Sequence, residues 1–223
     1  MSGRRSYDDG CATAHALDLV GERWALLVVR ELLLGPKRFT DLRVGLPGIS
    51  PNVLSQRLRE LEQVGVVKRG RLTPPAAASV YELTEWGHEL ERVILALGRW
   101  ACRSPMMAHD AAVGADSLVL ALRNLFDPRA ARGFTLTFTL VLGDNDFRVS
   151  VGRTRCQVSR GAAANRDLVV RTDATTLNAL LWGGRDLTEA LRAGDVRITG
   201  PVEPVATFLT LFPLPEPMPL TGS

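Results

Sequence analysis

The side chains best placed to do chemistry in this 223-residue chain are amides and guanidinium groups at helical spacing. In PNVLSQRLRELEQV, residues 51–64, Asn52, Gln56, Arg59 and Gln63 recur on one side, with Ser55 at its margin. Asn and Gln can pair bidentately with adenine and Arg with guanine, so this set can read base edges in a major groove. At about 100° per residue, Leu54, Leu58 and Leu61 fall within about 60° of one another on the opposite side, which predicts a buried face. The N-terminal half of such a helix enters the groove, so Asn52, Ser55, Gln56 and Arg59 are the predicted readers. Arg57 lies nearer the buried side and is expected to reach a phosphate instead. Residues 36–71 hold Lys37, Arg38, Arg43, Arg57, Arg59, Lys68, Arg69 and Arg71 against Asp41, Glu60 and Glu62. An excess of this kind neutralises phosphates, or is simply a solvated face. Lys37 and Arg38 are phosphate candidates ahead of the reading helix. Lys68, Arg69 and Arg71 flank a predicted hairpin that can reach backbone or minor groove.

Other chemistries lack their residues. His15, His88 and His109 are remote from one another and match no metal spacing. There is no G-x-S-x-G, no G-x-G-x-x-G and no P-loop, and WGGRD lacks the Lys-Ser/Thr pair that engages phosphate. Glu89 and Glu91, two apart on a helix, point to different faces. No enzyme activity, metal or cofactor is therefore expected. Cys11, Cys102 and Cys156 are an odd number with no C-x-x-C pair, which fits a reducing compartment. No apolar run approaches the roughly 18 residues of a membrane span, and MSGRRSYDDG lacks a signal-like apolar stretch, so a soluble, cytoplasmic protein is expected. With 46% hydrophobic and 23% charged residues the chain has a globular balance.

The elements that must position the readers follow from punctuation. Residues 11–34 lack proline and place Trp24, Leu27, Val28 and Glu31 at helical spacing, with Gly21 dividing two helices. GPKRFTDLRVGLPG holds a short helix starting at Phe39 or Thr40. Ser50 as cap, Pro51 at the first helical position and Gly65 as stop punctuate the reading helix. Val66 to Leu72 and Val80 to Thr84 are β-prone runs joined by a loose tip, TPPAAAS. A further helix follows, with Leu90, Val93, Ile94, Leu97 and Trp100 on one stripe. SPMMAHDAAVGAD reads as a linker. Beyond it come a helix, a strand with Phe134, Leu136, Phe138, Leu140 and Leu142 on its one buried side, further strands, two short helices, a last strand and a last helix.

Helix, helix, short helix, capped helix and basic hairpin, in that order, is the build of a winged helix-turn-helix. Through C-x5-LDLVGERWALLVVRELLLGPKRFTDLR, LPGISPNVLSQRLRELEQVGVV and YELTEWGHEL, residues 11–104 resemble the HxlR-type family of bacterial winged helix-turn-helix regulators. The resemblance implies a homodimer on pseudo-palindromic operator DNA, with the recognition helix at Ser50 to Val64 and the wing at Val66 to Thr84. Ser50 joins the DNA-contacting set on this ground. The family usually dimerises through helices outside the reading head, here around Cys11 to Leu19 and Glu85 to Arg103. The wing tip RLTPPAAASVY departs from the family in being Ala-rich where related proteins often carry more charged residues, which puts the minor-groove contact in question. Some members sense oxidants or electrophiles with a cysteine at the position of Cys11. No basic residue adjoins Cys11 in sequence, which favours a small buried residue there over a redox site.

Residues 115–213 resemble the sterol-carrier-protein-like lipid-binding domain through DLVVRTDATTLNALLWGGRDLTEALRAGDVRITGPVEPVATFLTLF. That family encloses an apolar tunnel, for which Leu177, Leu180, Leu181, Trp182, Leu187, Leu191, Phe208, Leu211 and Phe212 are the lining candidates here. The same stripe suits a filled core, and the filled core is favoured. The organisation expected is thus a mainly α winged helix-turn-helix domain over 1–104, a linker over 105–114, an α+β sterol-carrier-like domain over 115–213 and a Pro-rich tail over 214–223. The function expected is sequence-specific DNA-binding transcriptional regulation, under a hydrophobic small-molecule or lipid effector held by the second domain. The alternative is a cytoplasmic lipid carrier whose basic half docks to anionic surfaces.

Overall fold

The computed structural model describes residues 6–72, 77–107, 111–164 and 167–219. They form two compact units that divide between Ile94 and Leu95, inside a helix rather than in the stretch 105–114.

In the first unit α1 (Ala12–Val20) and α2 (Ala25–Leu32) break near Gly21. The left-handed backbone falls not on the glycine but on Trp24, at φ 78°, with the guanidinium of Arg23 lying 5.4 Å from the indole centroid. In α3 (Phe39–Gly45), Asp41 closes the first turn by accepting from the Arg38 backbone N–H at 3.0 Å. α4 (Pro51–Gln63) starts as its sequence dictates. The Ser50 hydroxyl accepts from the Val53 N–H at 3.3 Å, Pro51 occupies the first turn, and Gly65 at φ 75° ends the run. β1 (Val67–Arg71) and β2 (Ser79–Leu83) pair antiparallel, Val67 opposite Leu83 and Arg71 opposite Ser79. Residues 73–76 of the expected tip lie outside the described residues. Val28, Val29, Leu42, Leu54, Leu58 and Leu61 are core residues of this unit, in which the reading helix packs on α2 and β1.

α5 (Glu85–Ala101) begins against the hairpin, because a Cβ at the buried Gly87 would meet the Val66 carbonyl oxygen at 2.1 Å. Its apolar stripe does not join the core. Val93, Leu97 and Trp100 are 52%, 47% and 73% exposed.

The second unit is α+β. After the end of α5 come α6 (Ala115–Leu125) and α7 (Pro128–Ala131). The strands β3 (Leu136–Leu142), β4 (Asn145–Val151), β5 (Cys156–Arg160), β6 (Val169–Thr172) and β7 (Arg197–Thr199) lie in the order β5-β4-β3-β6-β7. β3 runs parallel to β6, and the other pairs are antiparallel. α8 (Ala174–Trp182), α9 (Leu187–Ala193) and α10 (Glu203–Leu209) complete it. Cross-strand partners put Phe138, Leu140, Phe147, Val149 and Val151 on one face, where Phe138 meets Phe208 of α10 edge-on at 5.0 Å. The strand expected to have one buried side has two over much of its length. Thr139 and Val141 on the other face are also buried, because β3 is central and the segment at Ala163 crosses it, Ala163 N–H donating to Thr139 Oγ1 at 2.9 Å.

Candidate nucleic-acid interface

α4 separates its faces as the spacing predicts. Leu54, Leu58 and Leu61 are almost wholly buried, while Asn52, Gln56, Arg59 and Gln63 are exposed and Ser55 is half-buried. Within that row Asn52, Gln56 and Arg59, two amides and a guanidinium toward the start of the helix, stand at the surface while the other side is fixed by packing. Two of the three are already oriented. Gln56 Nε2 donates to Glu60 Oε1 at 3.0 Å, and Arg59 Nε donates to the Ser55 carbonyl at 3.3 Å. The second amide hydrogen and the carbonyl of Gln56 stay open for a base edge.

Two expected phosphate contacts are displaced. Arg57 is buried and ion-paired, its guanidinium bonded to Glu60 and lying 3.7 Å from Glu22 Oε2. Lys37 is buried too, its Nζ 2.5 Å from Glu31 Oε2. Each cation is held by a carboxylate in a desolvated place, so both serve the fold rather than a phosphate. The residues the sequence reading missed are these carboxylates. Glu31 was visible as the one acid sharing the apolar spacing of α2, and it fills the side-chain space of Gly45, where a Cβ would meet Oε2 at 2.1 Å. Glu60 was visible only as an i,i+3 and i,i+4 partner.

The remaining cations are at the surface. Arg38 is exposed at the start of α3, and Lys68, Arg69 and Arg71 line β1. Lys68 lies 3.4 Å from Glu82. Arg69 is held by Glu62 through bonds of 2.9 and 3.3 Å and lies 5.7 Å from the Tyr81 ring centroid. These bonds, together with Tyr81 and the charge of Glu62, raise the Arg69 pKa above its usual value. The guanidinium of Arg69 is thus held in place by Glu62 and by the Tyr81 ring.

Cys11 corrects the buried-residue expectation. It stands exposed at the N-cap of α1, and the backbone N–H groups of Ala14 and Thr13, with the Thr13 hydroxyl, lower its thiol pKa from 9.0. Burial instead raises Cys102, and pushes Cys156 up to about 12.

The apolar tunnel expected from the second resemblance is filled. Leu177, Phe208, Leu211 and Phe212 are at most 2% exposed, and Phe208 and Phe212 pack edge-on at 4.9 Å. The space left beside Leu177, Leu180, Leu187 and Phe208 is about 10 Å³, no more than a single water. Leu181 and Leu191 are half-buried elsewhere on their helices. Trp182 borders a different, larger cavity, lined in part by α6 and α8.

With this geometry in view, the HxlR-like helix-turn-helix family model matches residues 19–108. The HTH-type transcriptional regulator YvaP of Bacillus subtilis is 40% identical over 86 residues, 39% of this chain and 80% of its own. YodB, an HTH-type transcriptional regulator of the same organism, is 40% identical over 86 residues, 39% of this chain and 77% of its own. The reduced YodB structure matches 44% of this chain and 97% of its own at 35% identity and a TM-score of 0.39, and YodB has also been solved bound to a quinone. The sec-alkylsulfatase Pisa1 from Pseudomonas is 22% identical over 41% of this chain and 15% of its own, at a TM-score of 0.38, too slight a likeness to assign any part of the chain.

Proposed function

The chain belongs to the HxlR-like helix-turn-helix family, and from that premise we propose that it is a sequence-specific transcriptional regulator, homodimeric on a pseudo-palindromic operator. The observation that carries this reading is the exposed row Asn52, Gln56 and Arg59 on a helix anchored by Leu54, Leu58 and Leu61. In the proposed complex the amides and guanidinium read base edges, while Ser50, Arg38, Lys68, Arg69 and Arg71 hold phosphates. Exposure of Val93, Leu97 and Trp100 along α5 supports dimerisation there, since a stripe of this kind is otherwise left in water. Two reading heads about 34 Å apart then occupy successive major grooves.

The second unit is proposed as the effector module. A ligand that prefers one spacing of the heads about 100-fold supplies about 2.7 kcal/mol, enough to release an operator. Cys11 supports a second input. Its thiolate would add to the β-carbon of a Michael acceptor such as a quinone, the C=C π pair moving onto the carbonyl and being protonated by water, at the start of a helix that the family uses for pairing. The filled space beside Leu177 and Phe208 speaks against the lipid-carrier alternative. A gel shift on the chain's own promoter region tests the reading: sequence-selective retardation at moderate salt is expected, and its absence sinks the regulator.

A further inference from the structure

The second unit holds a cavity of about 370 Å³ away from the packed sheet face. Its walls are Leu118, Ala121 and Leu125 of α6, Asn178 and Trp182 of α8, and Cys102, the residue that follows α5. All are uncharged. The space is a cleft partly open to solvent, and its volume is more than twice the ~150 Å³ of the engineered apolar cavity that takes up benzene. Two features give it definition. The Trp182 indole is fixed, its Nε1–H donating to the Phe212 carbonyl at 2.8 Å, whereas the Asn178 side-chain amide has no protein partner among the described residues. The C-terminal segment forms one wall through Leu214 and is strapped down by Arg103, which takes the Met218 N–H on its carbonyl at 2.8 Å and donates Nε to the Glu216 carbonyl at 3.1 Å.

We infer that this cavity is a binding site for a compact, neutral, largely apolar small molecule with one hydrogen-bonding group for Asn178. A carboxylate or amine placed there would be desolvated against a wall without an opposite charge. Arg99, on the last turn of α5, is engaged by the Asn124 carbonyl at 3.0 Å. The ligand rests on Cys102, so its arrival is felt at the end of the helix proposed to pair two copies. This deepens the effector part of the proposed function, but the test reads the cavity without DNA, so failure of either is told apart.

The neutral fluorophore N-phenyl-1-naphthylamine serves as probe on the full chain. A single site per chain with a Kd on the order of 1–10 µM is expected. Ala121→Trp, which fills the space, should weaken it by about tenfold or more, and Asn178→Leu by about two- to tenfold, as one hydrogen bond is lost. As a readout that needs no substitution in the walls, the probe should slow alkylation of Cys102 by N-ethylmaleimide in a Cys11→Ser chain. Failure of the probe to bind, equal binding to a folded Ala121→Trp chain, or an unchanged Cys102 rate would overturn the site. Displacement by dodecanoate as readily as by dodecanol would overturn the neutral class.

Discussion

Lys37 Nζ donates to Glu31 Oε2 at 2.5 Å, with both side chains more than nine-tenths buried. Glu31 Oε1 also accepts from the Arg30 guanidinium at 2.8 Å, so Lys37→Ala leaves the carboxylate one partner of two and should lower the stability of the first unit by about 1–3 kcal/mol in urea unfolding. Lys37→Met with Glu31→Gln should recover part of that loss, as the buried charge pair is gone and the Gln carbonyl can still accept from Arg30. If Lys37→Ala instead leaves the midpoint unchanged and only reduces DNA affinity, the lysine is a phosphate contact after all.

The readers and the anchors separate by specificity. Gln56→Ala should relax preference at one position of each half-site by about 1–3 kcal/mol, whereas Arg69→Ala should weaken all sequences alike and, with one phosphate lost per head, reduce the salt slope by about 2. With Lys37 and Arg57 withdrawn, each head keeps Arg38, Lys68, Arg69 and Arg71. Two heads neutralise about 8 phosphates, which sets a slope of log K against log salt near −7. A slope near zero in a salt titration is incompatible with the phosphate clamp.

Thiol reactivity should follow environment. Donors at the start of α1 lower the Cys11 pKa below 9.0, so its thiolate is present, and its alkylation proceeds, at lower pH than an ordinary thiol's. Cys156, buried and pushed up to about 12, should stay protonated and unreacted throughout that range, with Cys102 between them. Peptide mapping after iodoacetamide treatment across a pH series measures the order. Cys102 reacting ahead of Cys11 would contradict it.

The α5 stripe should govern assembly. Leu97→Glu with Trp100→Glu places charges at two positions already exposed in the single chain, so circular dichroism should be unchanged. Sedimentation equilibrium should show monomers, and operator affinity should fall by about 10²-fold or more once the heads bind separately. A double variant that still sediments as a dimer moves the interface to another face.

What the sequence determined by itself was local. Ser50, Pro51 and Gly65 bound the reading helix because capping, a fixed φ and a left-handed stop act within a few residues, and Leu54, Leu58 and Leu61 settle which way Gln56 and Arg59 face. Tertiary structure alone decided which cations are free. Lys37 looks like its neighbours in sequence, and only Glu31, brought in by α2, withdraws it from the surface, while Arg57, already on the buried side of its helix, is held by Glu60 of the same helix with Glu22 beside it. The same holds for space. The stripe Leu177, Leu187 and Phe208 suits a tunnel or a core equally well, since periodicity fixes direction and not distance. The approach of α10 to β3 closed it, and left the cavity beside Asn178 instead.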